Sequence, residues 1–214
     1  MNADMEAERF RRFGEVGAIV KDSHIVYTSG KHGSAYVNKD AIYPHTLLTC
    51  DLCKDIAIEF AKDGVEVVVA PEKGGIILSQ WIAYWLQIGN VSGPEILSAY
   101  AEKDGDGFVF KRGYEEIVRG KRVLVAEDLL NTGGSALKTI ELVRSVDGHV
   151  VGVGALCNRG GITPQELGGV PKLFSLVNVV MEAFDPAECP LCRTGVPINP
   201  TVGHGKKFLA QQST

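Results

Sequence analysis

The sequence predicts an α/β fold, a mostly parallel central sheet flanked by helices, and three features carry that expectation. Runs rich in Val and Leu at 65–70, 122–127 and 150–156 lack the alternation of a half-solvated strand, so each reads as a strand buried on both faces. Segments of helical spacing separate these runs, the βαβ alternation that brings strands into parallel register. Two of the strands lead into glycine turns that open helices, and open α/β sheets bind their ligands at such carboxyl ends.

Taken in order, Met5, Phe10, Phe13, Val16, Gly17 and Val20 recur at roughly helical spacing over 4–20, with a basic face at Arg9, Arg11 and Arg12. Short strands at 25–27 and 35–37 flank the turn Ser29-Gly30-Lys31-His32-Gly33. A helix over 44–62 is stopped by Gly64 and gives way to strand 65–70. The next helix, 76–88, carries Trp81, Tyr84 and Trp85, for which core packing and a dimer surface are both open. Strands near 96–101 and 108–110 bracket a Gly/Asp-rich tip; then come strand 122–127, its helix over 136–144, and strands 150–156 and 172–177.

With 214 residues, 45% of them hydrophobic, and no linker or charge run dividing it, the chain is expected to form one domain, 1–214. Its formal charge is −4, from 22 basic and 26 acidic residues, and no Lys/Arg stripe offers a footprint for nucleic acid. No apolar stretch approaches the ~20 residues of a membrane span, and 1–13 is too charged for a secretory signal, so a cytoplasmic protein is expected. Of five cysteines, Cys157 lies in an apolar run and reads as a strand residue, while Cys50/Cys53 and Cys189/Cys192 form two Cys-x-x-Cys pairs. The second pair resembles a zinc knuckle, and two pairs can complete a tetrahedral site. Structural zinc, disulfides and simple thiols all stay open; simple thiols are the leading reading, and no metal ligand is assigned to the active site.

The densest chemistry lies in Val123-Leu-Val-Ala-Glu-Asp-Leu-Leu-Asn-Thr-Gly-Gly-Ser135. Asn131, Thr132, Gly133, Gly134 and Ser135 supply backbone N–H groups, hydroxyls and glycines at a helix N-terminus, a cradle for an anion such as phosphate. Glu127 and Asp128 repel that anion but accept hydrogen bonds from the hydroxyls of a sugar attached to it. An ordinary strand-to-helix loop with two solvated acids is the competing reading of these residue types. Ala70-Pro-Glu-Lys-Gly-Gly75 repeats the arrangement one strand earlier, with Lys73 beside a turn in which Gly74 and Gly75 permit close approach of the backbone.

The segment 123–135 resembles the phosphoribosyl-pyrophosphate (PRPP) motif of type I phosphoribosyltransferases, and the chain as a whole most resembles the orotate phosphoribosyltransferase branch. Asn131 stands where the hypoxanthine and guanine branch places an Asp as general base, which points away from that branch. Lys73-Gly74-Gly75 is similar to the pyrophosphate loop, with Glu72 in the place of a Tyr. The stretch 28–38 is similar to the base-covering segment of the orotate branch; there Lys31 and Tyr36, with His32 and Lys39, would face an acidic ring. Arg159 stands where that branch carries an Arg that contacts orotate, and Asn158 replaces the usual Asp. The tip 101–114 occupies the position of a mobile catalytic loop, where Lys103 matches one basic residue of the pattern, the usual His is missing, and Lys111 and Arg112 are its candidate replacements.

The resemblance implies the type I fold with a small hood from about 1–45 and 185–214, and transfer of a 5-phosphoribosyl group from PRPP to orotate with release of pyrophosphate. It implies Glu127, Asp128 and Lys103 as catalytic residues, Mg²⁺ bound through PRPP, and a homodimer. Transfer to another nucleobase, and a regulatory module that binds PRPP without catalysis, remain alternatives. Pyrophosphate release against a panel of bases separates the three.

Overall fold

The structure is a computed structural model that describes residues 3–179 and 181–212. Its elements begin with α1 (Ala3–Glu15), the two-residue strands β1 (Ile19–Val20), β2 (Ile25–Val26), β3 (His32–Gly33) and β4 (Tyr36–Val37), and α2 (Thr46–Phe60). There follow β5 (Val67–Pro71), α3 (Gly74–Gly89), β6 (Leu97–Asp104), β7 (Gly107–Val109), α4 (Tyr114–Val118) and β8 (Arg122–Leu130). The chain continues through α5 (Gly134–Ser145), β9 (His149–Asn158), β10 (Leu173–Asn178), α6 (Pro190–Arg193) and α7 (Gly205–Gln212). The described residues fall into two compact units, 3–9 with 45–179, and 10–44 with 181–212.

The first unit is a six-stranded sheet in the order β10-β9-β8-β5-β6-β7, parallel except for the antiparallel edge pair β6/β7. Every residue of β5 is buried, which is why its sequence is an unbroken apolar run. On one face Val67, Val69, Val123, Val125 and Val153 pack with Ile140 and Val143 of α5. Leu52, Ile56 and Phe60 of α2 and Leu78 and Ile82 of α3 are also fully buried. Helix α2 approaches β9 so closely that a Cβ on Gly154 would lie 2.6 Å from Ile56 Cγ2, and one on Gly152 would lie 2.6 Å from Phe60 Cε1. Any larger residue in those two places would hold the helix off the sheet. Arg9 does not join a solvent-facing basic surface: it is 4% exposed, and its Nε donates to Asp55 Oδ2 at 2.9 Å.

Two strands run further than their sequence periods suggest. β8 continues through Glu127 and Asp128 to Leu130, because Leu129 and Leu130 pair with Cys157 and Asn158 of β9, so the two acids lie within the strand. β6 reaches Asp104 because Glu102, Lys103 and Asp104 pair with Val109, Phe108 and Gly107, and the expected catalytic loop is a hairpin turning at Gly105–Asp106. Lys138 of α5 donates to the Asp106 carbonyl. Cross-strand pairing outranks local composition in both cases.

In the second unit β1 pairs antiparallel with β4, and β2 with β3. The expected turn at 29–33 is shorter than its glycines suggest, since His32 and Gly33 are themselves strand residues opposite Val26 and Ile25. Among the described residues no helix is long and apolar enough to cross a membrane.

Candidate active site

Strand order creates the site. β5 neighbours both β6, the next strand in the sequence, and β8, which returns on its other side, so the connections diverge between β5 and β8. Crevices outside the carboxyl ends of strands at such a switch point are where open sheets hold ligands. The two glycine turns identified in the sequence follow β5 and β8.

After β8, Glu127 and the Asn131–Ser135 loop line one polar cavity. Helix α5 is capped by Gly133, in left-handed backbone with φ 73°, and that residue has no side chain to occupy the first-turn amides. Gly134 N lies 3.4 Å from Thr132 Oγ1, and the Leu137 amide donates to the Gly133 carbonyl at 2.8 Å. The demand for glycine sits at Gly133: a Cβ there would meet Leu167 at 3.2 Å and Ile162 at 3.3 Å. At Gly134 a Cβ would make only an ordinary 3.5 Å contact with Thr132 Oγ1. Glu127 and Asp128 are 5% and 7% exposed, and Glu127 Oε1 accepts the Asp128 N–H at 3.0 Å. These are buried carboxylates, whereas the bland reading of the motif requires solvated ones.

Arg159, at the end of β9, belongs to the same place. Its backbone amide and that of Gly160 donate to the Leu130 carbonyl at 2.9 and 3.1 Å, and its Nε donates to Asn131 Oδ1 at 3.2 Å. A Cβ on Gly160 would fall 1.7 Å from the Asn131 carbonyl oxygen, so the two loops touch backbone to backbone. This glycine's importance is not legible from its neighbours in the chain, because contact between loops 28 residues apart has no local signature. Asn158 explains itself here: buried, its Nδ2 donates to the Ile162 carbonyl at 2.8 Å while its Oδ1 accepts the Ile162 amide at 3.0 Å. An ionised Asp has no donor for the first of these bonds. Burial pushes the neighbouring Cys157 thiol up to about 12, with Arg159 acting in the opposite direction, so this cysteine is a packing residue.

After β5, α3 begins at Gly74 with Lys73 as its cap, and the Glu72–Lys73 peptide is cis. Gly75 is buried so tightly that a Cβ would lie 2.7 Å from the Cβ of Ala70. Glu72 ties this turn to the hairpin: its amide donates to the Ala101 carbonyl at 2.9 Å, and its Oε1 accepts the Lys103 amide at 2.9 Å. Lys103 is exposed. Lys111 and Arg112 both pair with Glu102, at 3.2 and 3.0 Å; the Lys111 contact leads in holding that carboxyl below its usual range, with Arg112 adding to it. The apolar cleft along α2 and α3, lined among others by Ile58, Phe60, Trp85 and Leu86, has Lys54 as its one charged side chain and is a poor match for phosphate chemistry.

In the second unit Lys31 forms an ion pair with Asp185 at 3.6 Å, both side chains exposed, and Tyr36 is partly buried in β4. Lys39 pairs with Asp40 at 3.6 Å. His32 departs from its expected role: it is fully buried, and its Nδ1 faces His24 Nε2 at 2.9 Å and Cys192 Sγ at 3.2 Å, which removes it from contact with an acidic substrate. The two Cys-x-x-Cys pairs also have separate surroundings. Cys53 is fully buried on α2, where burial raises its thiol, while the Trp85 indole N–H lies 3.1 Å from the Cys50 carbonyl and 3.3 Å from its sulfur.

Comparison with known proteins agrees with this geometry. The phosphoribosyl transferase domain family matches residues 46–188. The chain is 35% identical over 194 residues to an orotate phosphoribosyltransferase of Caldanaerobacter subterraneus subsp. tengcongensis, covering 91% of this chain and 96% of that one. A Thermotoga maritima orotate phosphoribosyltransferase is 32% identical over 193 residues, 90% of this chain and 96% of its own. Among solved structures, the Mycobacterium tuberculosis H37Rv orotate phosphoribosyltransferase in complex with PRPP superposes with a TM-score of 0.62 at 23% identity, covering 81% of this chain and 96% of that one. An adenine phosphoribosyltransferase from Thermoanaerobacter pseudethanolicus reaches 0.56 at 18%, covering 78% and 99%, so backbone shape alone does not choose the base. With the switch-point cavity and the sequence relatives in agreement, the chain belongs to the phosphoribosyltransferase family, in its orotate phosphoribosyltransferase branch.

Proposed function

We propose that this protein transfers the 5-phosphoribosyl group of PRPP to orotate, giving orotidine 5′-monophosphate and pyrophosphate. The observation that carries the reading is the junction of Arg159 with Asn131: a forked cation stands at the edge of a helix N-terminus whose cap, Gly133, has no side chain, with a buried carboxylate on the same loop's cavity. A guanidinium matches the orotate carboxylate in geometry as well as charge. In this reading the 132–135 amides hold the 5′-phosphate, and Glu127 and Asp128 accept hydrogen bonds from the ribose hydroxyls. Lys73 and Lys103 face the pyrophosphate, and the Glu72 contact to the Lys103 amide sets the hairpin beside the pyrophosphate turn. Lys31 and Tyr36 are assigned to the base.

The bond from ribose C1′ to the pyrophosphate oxygen breaks and its electron pair leaves with the pyrophosphate, while a ring nitrogen of the base bonds to C1′ and releases its proton to solvent. Positive charge develops on the ribose as negative charge develops on the leaving group, so fixed charges placed before the reaction supply most of the help. The buried oxygens of Glu127 and Asp128 are the hard donors that suit Mg²⁺. When bound through PRPP, that ion neutralises charge on the pyrophosphate.

The outward side chains Ile77, Trp81, Tyr84 and Ile88 form an apolar stripe along α3, and Ile77, Tyr84 and Ile88 are 40–50% exposed. This stripe supports a homodimer. A net charge of −4 with no basic stripe supports small-molecule partners over nucleic acid, and we place the enzyme in the cytoplasm.

The deciding assay is pyrophosphate release from PRPP with orotate, uracil, xanthine, hypoxanthine and adenine. Magnesium-dependent release with orotate alone is expected. Equal turnover of uracil or a purine overturns the choice of base, and PRPP binding without release for any base turns the reading to a regulatory module.

A further inference from the structure

The second unit holds a group of side chains that the transfer reaction does not use. His24, His32, Cys189 and Cys192 each present one ligand atom, and the four atoms lie within 4.8 Å of one another. His24 Nε2 is 2.9 Å from His32 Nδ1, 3.6 Å from Cys189 Sγ and 3.5 Å from Cys192 Sγ, and Cys192 Sγ is 3.2 Å from His32 Nδ1. Metal–ligand lengths of ~2.05 Å to nitrogen and ~2.3 Å to sulfur give tetrahedral edges of about 3.3 Å between nitrogens and about 3.5 Å from nitrogen to sulfur. The nitrogen–sulfur spacings of 3.2, 3.5 and 3.6 Å bracket their edge, and the nitrogen–nitrogen spacing of 2.9 Å is somewhat shorter than its own. His24, His32 and Cys189 are at most 2% exposed, while Cys192 reaches in from the surface along a cleft that Phe208 and Val196 also line.

The surrounding backbone holds the four donors in place. His24 Nδ1 lies 2.7 Å from the Val196 carbonyl oxygen, which accepts only from a protonated nitrogen, so Nε2 keeps its lone pair and directs it at the cluster. A carbonyl on the far nitrogen is the usual outer partner of a metal-bound histidine. His32 is fixed by paired amide bonds with Phe184, both 2.8 Å, and the His24 carbonyl accepts the Asn199 amide at 2.8 Å. In the knuckle Cys189-Pro-Leu-Cys192, the Arg193 amide donates to the Cys189 carbonyl at 3.2 Å and the Gly195 amide to the Cys192 carbonyl at 3.1 Å, with Gly195 at φ 70°. Hydrogen bonding without an ion satisfies the group poorly. If His32 Nδ1–H donates to His24 Nε2, both thiols are left with histidine nitrogens already engaged.

We propose that these four residues form a structural zinc site of the Cys₂His₂ type. The donor set is two thiolates and two imidazoles, soft to borderline, and suits Zn²⁺ over the hard cations Mg²⁺ and Ca²⁺. All four tetrahedral positions come from the protein, so no position is left for a reacting water and the role is structural. The ligands join segments about 160 residues apart in sequence, in a unit whose strands are two residues long. A cross-link there adds to the small apolar core that such short strands can build.

The test uses the full-length protein with zinc and cobalt as probes. Protein purified under reducing conditions without chelator should carry about one zinc per chain by elemental analysis, as full occupancy of one structural site requires. Cobalt added to chelator-stripped protein should give the visible ligand-field bands of tetrahedral coordination and a thiolate-to-cobalt charge-transfer band in the near ultraviolet. Cys192→Ala alters the most exposed ligand. It should weaken zinc retention against a chelating dye by more than about 100-fold, above the 10–100-fold that loss of an outer partner costs. Cys50→Ala, on α2, should leave retention unchanged. Stripped protein that is folded by circular dichroism yet gives no cobalt spectrum overturns the proposal, as does zinc that survives Cys192→Ala and is lost in Cys50→Ala. Should the Cys192 variant not fold, the wild-type cobalt spectrum decides by itself.

Discussion

The two units achieve order by different means. The sheet unit buries Val, Leu and Ile on both faces of five parallel strands, and its polar groups are carried to one end on a scaffold that does not need them. The small unit pairs strands of two residues, and at its centre are two histidines and two cysteines, with Phe13, Ile25, Val26, Val37 and Ile42 as its larger buried apolar side chains. Area removed from water stabilises at about 25 cal/mol per Å², so a large layered sheet can rely on burial alone while a unit of short hairpins needs a cross-link. The lesson is about substitution. In the sheet unit a site carboxylate should be changeable with little effect on folding; in the small unit the ligand cluster and the fold are the same thing.

Four measurements sharpen or break this contrast, in descending order of expected effect. The double variant Glu127→Gln with Asp128→Asn should lower turnover by about 3 kcal/mol or more, a hundredfold at least, since each charge-assisted contact is worth roughly 1.5–3 kcal/mol. Its urea midpoint should stay near wild type, because Gln keeps an oxygen to accept the Asp128-position amide. Unchanged kinetics would remove the ribose assignment, and a collapse in stability would show that the site is not independent of its scaffold. Leu124→Ala, in the fully buried centre of β8, should cost about 2–5 kcal/mol in denaturant unfolding. Added zinc should recover none of that loss if the sheet unit relies on burial alone.

Arg159→Ala should weaken orotate binding tenfold or more, consistent with loss of a charged contact of about 1.5–3 kcal/mol, and leave PRPP affinity within about twofold. Lys at this position should restore part of the effect, since it returns charge without the fork. Equal loss for both ligands, read by calorimetry, would mean that Arg159 serves the loop through Asn131 and not the base.

The smallest effect concerns Glu66, whose carboxylate accepts the Arg122 amide at 3.0 Å and the Lys121 ammonium at 3.0 Å, joining the starts of β5 and β8. The Arg122 amide, then Lys121, hold its carboxyl below the ordinary value of 4.5. The folded state therefore binds its proton less readily than the unfolded chain does. The resulting stability is present above pH 4.5 and is lost as pH falls through the lower folded value. Glu66→Gln should cost less than about 1 kcal/mol near neutral pH, as befits a part-exposed pair, and the difference from wild type should vanish in acid. A difference that persists unchanged at low pH would assign the effect to packing.

The sequence by itself determined the elements whose information is local. The buried strands at 65–70, 122–127 and 150–156 were legible because a parallel strand covered on both faces must be apolar throughout, and the loop 131–135 because a phosphate cradle needs small residues in consecutive order. Tertiary structure decided what depends on distant partners. Pairing with β9 carried β8 past its acids to Leu130, and pairing within the hairpin turned the Gly/Asp tip into strand. The 1.7 Å approach a Cβ on Gly160 would make to Asn131 could not be read from either loop alone. The same limit applied to the cysteines: Cys189 and Cys192 looked for a second Cys-x-x-Cys in the sequence, and the chain brought them His24 and His32 instead. A ligand set assembled from segments far apart has no spacing to recognise, because its geometry exists only after the backbone has closed around it.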